Sequence, residues 1–253
     1  MKSVYLAWQN PKTREWSPIG RLSFDGDIYT FFWTKGAAAV LSDLPVPAAM
    51  KELGVVYESK GLFAFFANRL LNPSRPDYLR FLGWLGLAHQ HDLISMLAIS
   101  GGSRGTDSFE LFQVPERSTA GNYEITFLSR GLSHLPKAAV EAVSTLHGGD
   151  SLYLMRDVHN PVDRYALALR SHDPMFIVGY LPKYFAKDIC RLFDLVGCEN
   201  VVASVSKVNL DAPLQLRMLC NLKAPWPSEF SPLSDAEFLP ARNGDQLTVA
   251  DHA

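Results

Sequence analysis

The sequence predicts an α+β protein with two folded domains, and three features of the chain support this prediction. Segments that alternate apolar and polar residues, as half-buried strands do, lie near the beginning of the chain and again after residue 121. Segments with apolar residues at helical spacing lie between residues 61 and 100. A short polar stretch at residues 116–121 has the composition of a linker between the two parts.

The first predicted domain, residues 1–115, begins with strands. Alternating and aromatic runs predict strands at 4–6 and 28–33, and a last strand is expected at 108–115. Phe63, Phe66 and Leu70 fall on one helical face, and further helices should follow Pro76 and precede Gly101. We therefore expect a small sheet with a helical insert.

The second predicted domain, residues 116–226, is organised around a polar turn, Asn160-Pro161-Val162-Asp163. Asn and Asp favour turns because their short side chains bond nearby backbone groups, and Pro161 fixes its own φ. The alternating segments on either side should pair as a hairpin or a bulged corner. A helix should begin at Pro182 and pack its apolar side on the strands, with Lys183 and Lys187 on the opposite side.

The remaining residues, 227–253, are rich in Pro, Ser and acidic residues and predict a flexible acidic tail. Residues 1–115 carry 11 basic and 10 acidic side chains, residues 116–226 carry 12 and 11, and the tail carries 1 and 5. Neither predicted domain is basic, so a nucleic-acid contact would have to come from a local site.

The chain has no run of apolar residues long enough for a membrane helix and no signal-peptide pattern at its start. Its three cysteines show no metal-type spacing and are expected to be buried thiols in a reducing compartment. We expect a soluble, cytoplasmic protein with no membrane partner.

The spacing around the polar turn resembles the HIRAN domain family. An arginine and an acid precede the Asn-Pro pair, an Asp follows it, and Val-Gly-Tyr-Leu-Pro comes further along. The matching positions are Arg156, Asp157, Asn160, Pro161, Asp163, Ala166, Gly179, Tyr180, Leu181 and Pro182. This resemblance implies a small β-barrel with one or two helices that binds the 3′ end of single-stranded DNA.

The resemblance also implies that Asn160 and Asp163 contact the terminal nucleotide. A carboxylate accepts a hydrogen bond from a free 3′-hydroxyl but repels a phosphodiester, so a chain end is favoured over an internal nucleotide. The alternative is a structural turn in which both side chains only cap backbone groups.

The family places an arginine followed by aromatic residues after the first strand, whereas this chain has Arg130 without the aromatic pair. Stacking of about 1–3 kcal/mol per base would then need a substitute, for which Tyr153, Tyr165, Tyr180 and Tyr184 are candidates. The alternative for Lys183 and Lys187 is a solvent-exposed helix face that binds no ligand. The alternative for Arg156 is an ion pair that stabilises the turn. The predicted DNA-binding residues are Arg130, Arg156, Asn160, Asp163, Tyr180, Lys183, Tyr184 and Lys187.

Residues 1–115 are similar to the N-terminal subdomain of HipA-type toxin kinases. The similarity lies in Ile-Gly-Arg-Leu at 19–22, Phe-Phe-Trp at 31–33, Leu-Ser-Asp-Leu-Pro at 41–45 and Phe-Phe-Ala-Asn-Arg-Leu-Leu at 65–71. It implies a domain that docks a protein partner, in a bacterial toxin–antitoxin or defence system. The phosphate loop and catalytic run of a kinase core do not follow, so phosphoryl transfer is not expected.

No residue pattern predicts bond-breaking chemistry, and we expect neither catalytic residues nor a cofactor or metal. His89-Gln90-His91-Asp92 suggests a metal site, but these residues lack a third and fourth ligand. The predicted function is therefore a non-enzymatic DNA-binding adaptor that recognises single-stranded 3′ ends or unusual DNA structures. The alternative is an antitoxin-like protein-interaction module that does not bind DNA.

Overall fold

The computed structural model describes residues 2–46, 50, 52–87 and 92–241, together with the backbone of residues 248–251. Within these residues the chain is a mixed α/β protein. By chain contacts it divides into two compact units. Unit 1 comprises Met1–Arg75, His91–Val114 and Leu233–Ala253, and unit 2 comprises Pro76–Gln90 and Pro115–Pro232.

The described residues form twelve strands and six α-helices. The strands are β1 (Lys2–Gln9), β2 (Trp16–Phe24), β3 (Tyr29–Trp33), β4 (Val55–Ser59), β5 (Phe109–Gln113), β6 (Asn122–Leu128), β7 (Ser151–Arg156), β8 (Leu167–Arg170), β9 (Ile177–Tyr180), β10 (Val202–Val208), β11 (Met218–Pro225) and β12 (Thr248–Asp251). The α-helices are α1 (Lys35–Ala38), α2 (Ala64–Ala67), α3 (Tyr78–Trp84), α4 (Leu93–Ser100), α5 (Lys137–Val143) and α6 (Lys183–Val196).

Unit 1 is built on a six-stranded sheet in the order β12-β4-β3-β2-β1-β5. Its pairs are antiparallel except that β12 runs parallel to β4. The core is aromatic: the ring of Phe31 lies 4.9 Å from that of Trp33 and 5.4 Å from that of Phe66. The predicted small sheet with helices inserted before its last antiparallel strand is therefore present.

The helical insert differs in detail from the prediction. Helix α4 ends at Gly101, as expected, where φ is 77°, and it begins after Asp92, whose side chain accepts a hydrogen bond from the Ser95 amide at 2.7 Å. The helix expected from Gly61 to Leu71 is reduced to the four residues of α2.

Unit 2 contains a six-stranded antiparallel sheet in the order β6-β11-β10-β7-β8-β9. The sheet curls, because Arg130, just after β6, forms a bridge with Tyr180 in β9, and these are the two edge strands. On α6, Phe185, Ile189 and Leu192 are buried, as expected for the apolar side of an amphipathic helix. The predicted barrel thus takes the form of a curled antiparallel sheet with α5 and α6.

The unit boundaries differ from the predicted domains in the middle of the chain. Helix α3 groups with unit 2, where the Asn209 side chain donates to the Trp84 carbonyl at 2.9 Å and the Trp84 indole donates to Asp211 at 3.0 Å. These contacts join residues more than 120 positions apart, so local sequence pattern carried no signal for them.

The predicted flexible tail also differs from the structure as far as residue 241. Phe230 is buried in unit 2, where its carbonyl accepts from the Trp226 indole at 3.1 Å. Phe238 is buried in unit 1, where its carbonyl accepts from the Tyr5 hydroxyl at 3.3 Å. Two apolar side chains in a polar segment therefore anchor this stretch, one in each unit.

Cys190 and Cys220 are buried as expected, whereas Cys198 is exposed. Burial raises the pKa of both buried thiols, so they remain protonated at neutral pH. Within the described residues, every helix is too short or too polar to cross a bilayer.

Candidate nucleic-acid interface

The Asn160 side chain holds the predicted turn together. Its Oδ1 accepts hydrogen bonds from the amides of Val162 and Asp163, both at 3.0 Å. Its Nδ2 donates one N–H to the carboxylate of Asp157 at 3.0 Å. Both lone pairs of the amide oxygen are thus used within the turn, and one N–H of the amide nitrogen remains for another partner.

The Asp163 carboxylate is only half used. Its Oδ1 accepts from the Tyr165 amide at 2.9 Å, and its backbone carbonyl accepts from the Ala166 amide at 3.0 Å. The second carboxylate oxygen has no hydrogen-bond donor among the described residues. The side chain is half-buried, so its position is fixed while part of it meets solvent.

Asp157 joins the turn to β9. Its Oδ2 accepts from Asn160 and also from the Tyr180 hydroxyl, at 3.1 Å. Burial, followed by the hydrogen bond to Asp157 and the charge of that carboxylate, raises the pKa of Tyr180. The phenol therefore stays a hydrogen-bond donor at neutral pH. We call Asp157, Asn160, Asp163 and Tyr180 the polar corner.

Two glycines allow the strands to close beside the corner. Gly179 has φ 133°, and a Cβ there would lie 1.7 Å from the Ser129 Oγ, so no other residue fits. Gly131 has φ 77°, and a Cβ there would lie 3.3 Å from the Tyr180 ring. The backbones of Arg130 and Tyr180 exchange two N–H···O bonds of 2.9 Å, which places Arg130 next to the corner.

Helix α6 reaches the corner through Tyr165. The Lys187 Nζ lies 6.0 Å from the centroid of the Tyr165 ring, and the Arg164 guanidinium lies 4.7 Å from it. Lys183 lies 5.7 Å from the Tyr184 ring. Lys187 on α6 thus lies beside Tyr165, which follows the turn, whereas Lys183 contacts its neighbour Tyr184 on the same helix.

Arg156 has a different environment from the other predicted residues. Its guanidinium donates to Asp194 on α6 at 3.1 Å and lies 5.7 Å from the Phe193 ring. An ion pair was the expected alternative for Arg156, but the partner is Asp194 rather than the neighbouring Asp157. The structure therefore joins Arg130, Asn160, Asp163, Tyr180 and Lys187 by contacts around the corner, and pairs Arg156 with α6.

Within the described residues, no group of three or more His, Cys, Asp or Glu side chains is arranged to hold a metal ion. His89 and His91 of the motif considered above lie outside the described residues.

Comparison with known families identifies the segment that contains the polar corner. Residues 123–226 match the family model of the HIRAN domain. This segment is a HIRAN domain. The predicted resemblance for the second half of the chain is confirmed, and the polar corner lies inside the HIRAN domain.

Two solved structures are similar to this chain. A crystal structure of a protein from Lactobacillus plantarum is 21% identical, with a TM-score of 0.29, over 41% of this chain and 99% of that one. The crystal structure of the HIRAN domain of human HLTF is 17% identical, with a TM-score of 0.29, over 42% of this chain and 80% of that one. Comparison with curated proteins gives no significant match.

The family match does not extend over residues 1–115, so the similarity to a HipA-type subdomain stays a prediction. Within the HIRAN domain, Asp157 is the residue whose role the sequence left undecided. Its acidic side chain matched the spacing of the HIRAN motif. Its role as the acceptor for both Asn160 and Tyr180 depends on the pairing of β8 with β9.

Proposed function

We propose that the HIRAN domain binds the 3′ end of single-stranded DNA at the polar corner, as a binding module rather than an enzyme. The observation that carries the proposal is the half-used carboxylate of Asp163. One oxygen is fixed by the Tyr165 amide, and the other is left to accept a hydrogen bond from a ligand. A terminal 3′-hydroxyl is such a donor, whereas a phosphate at the same place would be repelled.

The rest of the corner supports this assignment. Asn160 keeps one N–H for a sugar or base oxygen while its own oxygen holds the turn. Asp157 fixes both Asn160 and Tyr180, so the site is formed before a ligand arrives and loses little entropy on binding. Arg130, Lys183 and Lys187 supply positive charge for the phosphates that precede the last nucleotide.

The proposal is tested by fluorescence anisotropy with three single-stranded oligonucleotides of one sequence: one with a 3′-hydroxyl, one with a 3′-phosphate, and a circular form. A hydrogen bond to a charged acceptor contributes about 1.5–3 kcal/mol, so we expect the hydroxyl form to bind roughly 10-fold to 150-fold more tightly. Asp163→Asn keeps an oxygen for the Tyr165 amide but removes the charge, and should abolish most of this preference.

Glu141→Gln is the matched control, because it neutralises an exposed carboxylate on α5 whose ion-pair partner is Lys137, 3.4 Å away. It should leave the preference unchanged. Equal binding of all three oligonucleotides to the wild-type protein would contradict end recognition.

The alternative is an antitoxin-like interaction module without DNA binding. It is favoured by the apolar tip of the corner, where Val158 and Val162 are 75% and 86% exposed. On this account the wild-type protein binds every oligonucleotide weakly and equally, and a protein partner contacts the valines.

For unit 1 we propose a docking role that would make the whole chain an adaptor in the cytoplasm of a bacterial cell. Support comes only from the sequence similarity of residues 1–115 to a HipA-type subdomain. Co-purification of the full chain from its native host tests the role, and recovery of single chains under mild conditions would contradict it.

A further inference from the structure

Tyr153 is the most exposed aromatic side chain among the residues that the structure describes. Its exposed fraction is 42%, whereas the other Phe, Tyr and Trp side chains are buried or half-buried. Met155, two residues further along β7, is 44% exposed. A strand in a small curled sheet thus presents a ring and a thioether side by side to solvent, where a ligand can contact both.

The strand register places Tyr153 on the same side of the sheet as the polar corner. In antiparallel pairs, directly opposed residues share a face, and Tyr153 is opposite Arg170, which is opposite Ile177. Met155 is opposite Ala168, which is opposite Tyr180. The register of β8 and β9 shifts by one residue between these two pairs, so Ile177 and Tyr180, three residues apart, both pair with the Tyr153 side of β8. Tyr180 in turn donates to Asp157, the residue that continues the alternation of Tyr153 and Met155. We call Tyr153, Met155, Arg170 and Ile177 the Tyr153 face.

The Tyr153 face therefore leads away from the corner along β7. Tyr153 and Asp157 are four residues apart, which corresponds to about 13 Å along a strand. A ligand whose end lies at the corner reaches Tyr153 only if it extends beyond its terminal unit.

The contacts of Tyr153 fit a stacking platform. The guanidinium of Arg170 lies 4.7 Å from the ring centroid. The tyrosine hydroxyl and His172 Nδ1 are 3.3 Å apart, and the two rings are 5.8 Å apart at 41°. Two neighbours thus hold the exposed ring in place. A fixed ring beside a guanidinium offers a surface for a base and a cation for a phosphate.

We propose that the Tyr153 face is a second subsite for single-stranded DNA, in which a base upstream of the 3′ end stacks on Tyr153 and Arg170 contacts a neighbouring phosphate. This inference rests on the proposed function of the corner. The charges agree with a strand whose 3′ end lies at the corner and whose upstream nucleotides lie at Tyr153. The carboxylate of Asp157 lies at the hydroxyl end, and the guanidinium of Arg170 lies at the phosphate end. Two carboxylates oppose it: Asp173, beside His172 in the sequence, and Glu199, which lines the same pocket as Tyr153.

This subsite also accounts for the missing aromatic pair after Arg130. Position 131 is a glycine against which the Tyr180 ring packs, and Leu132 is buried, so neither position supplies stacking. Of the four tyrosines considered as substitutes, Tyr165 and Tyr184 are half-buried beside cations and Tyr180 is half-buried and bonded to Asp157. Tyr153 is the one with an exposed ring.

The experiment uses the full chain and 3′-hydroxyl oligonucleotides that carry the fluorescent base 2-aminopurine at successive positions from the 3′ end. We expect quenching, as a sign of stacking, at a position upstream of the terminal base. In Tyr153→Ala the quenching at that position should disappear and the affinity should fall about 5-fold to 150-fold. Tyr153→Phe should keep both, and Leu210→Ala, which removes an exposed apolar side chain elsewhere in unit 2, should change neither.

The readouts separate this inference from the function on which it rests. Tyr153→Ala should keep the preference for a 3′-hydroxyl over a 3′-phosphate, because Asp163 is intact. If that preference is present but Tyr153→Ala binds as tightly as wild type, the inference is overturned and the proposed function stands; the face would then suit a protein partner. If the wild-type protein shows no end preference at all, both are overturned. Loss of the preference in Tyr153→Ala would also overturn a separate subsite.

Discussion

Strands β1 and β7 show how differently the two units use a sheet. In β1 six consecutive residues are buried, so both faces of the strand are covered, and helix α4 packs against it and β5. In β7 one residue of six, Leu152, is buried, and the strand ends at the polar corner. A doubly covered strand contributes stability, whereas a strand with an open face and a polar end has the surface that a binding site requires.

The largest expected difference between the two strand environments is in stability. Phe31 is fully buried on β3, in the same sheet as β1, and its replacement by alanine should destabilise the protein by about 3–5 kcal/mol. Tyr153→Ala, on the open face, should cost less than about 1 kcal/mol. Denaturant unfolding of the two variants measures both, and similar losses would remove the distinction between the strands.

A second prediction concerns the closure of the sheet in unit 2. Gly179→Ala would force a Cβ into Ser129 at a backbone angle that disfavours side chains, and should cost about 2–4 kcal/mol. Amide hydrogen exchange at Tyr180 should accelerate, because its bond to the Arg130 carbonyl weakens. Gly61→Ala is the control, since a Cβ there has no neighbour within 4 Å. Equal stability of the two variants would contradict the closure.

A smaller loss is expected for the turn itself. Asn160→Ala removes two acceptor bonds to backbone amides and the donor bond to Asp157, and should destabilise unit 2 by about 1–2 kcal/mol. Val162→Ala changes an exposed side chain in the same turn and should leave stability unchanged. Urea titrations give both values. An unaffected Asn160→Ala protein would mean that Asn160 serves the ligand rather than the turn.

The smallest predicted effect is the alkaline response of Tyr180. Its pKa is raised above the usual value of 10.0, so the folded state holds the phenolic proton more tightly than the unfolded state does. The resulting stabilisation is complete below pH 10 and is lost as the pH rises through the folded-state pKa. Tyr180→Phe should therefore lose stability less steeply than wild type above pH 10. Identical pH profiles would show that folding does not raise the pKa of Tyr180.

The sequence was most informative where structure is local. The Asn-Pro-Val-Asp turn, the end of α4 at Gly101 and the amphipathic α6 follow from bonds or spacings within a few residues, and the structure has each of them. Predictions failed where the partner is distant. Helix α3 groups with unit 2 through Asn209 and Asp211, and Phe238 is anchored by Tyr5.

The residues of the candidate site also fall into those that local sequence predicts and those that depend on distant pairing. The residues of the turn were identifiable because their spacing is short, whereas the role of Asp157 and the exposure of Tyr153 depend on how β7, β8 and β9 align. A one-residue change of register would move Tyr153 to the opposite face. Such alignment is set by the whole sheet and is not a property of either segment alone.

The central claim is that the half-used carboxylate of Asp163 receives a terminal hydroxyl. The most direct measurement is an NMR titration of the ¹⁵N-labelled chain with a 3′-hydroxyl oligonucleotide and with its 3′-phosphate counterpart. We predict that the hydroxyl form shifts the amide signals of Val162, Asp163 and Tyr165, which are bonded to Asn160 and Asp163, and that the phosphate form leaves them largely in place. Equal shifts with both ligands, or shifts confined to other parts of the chain, would contradict the claim.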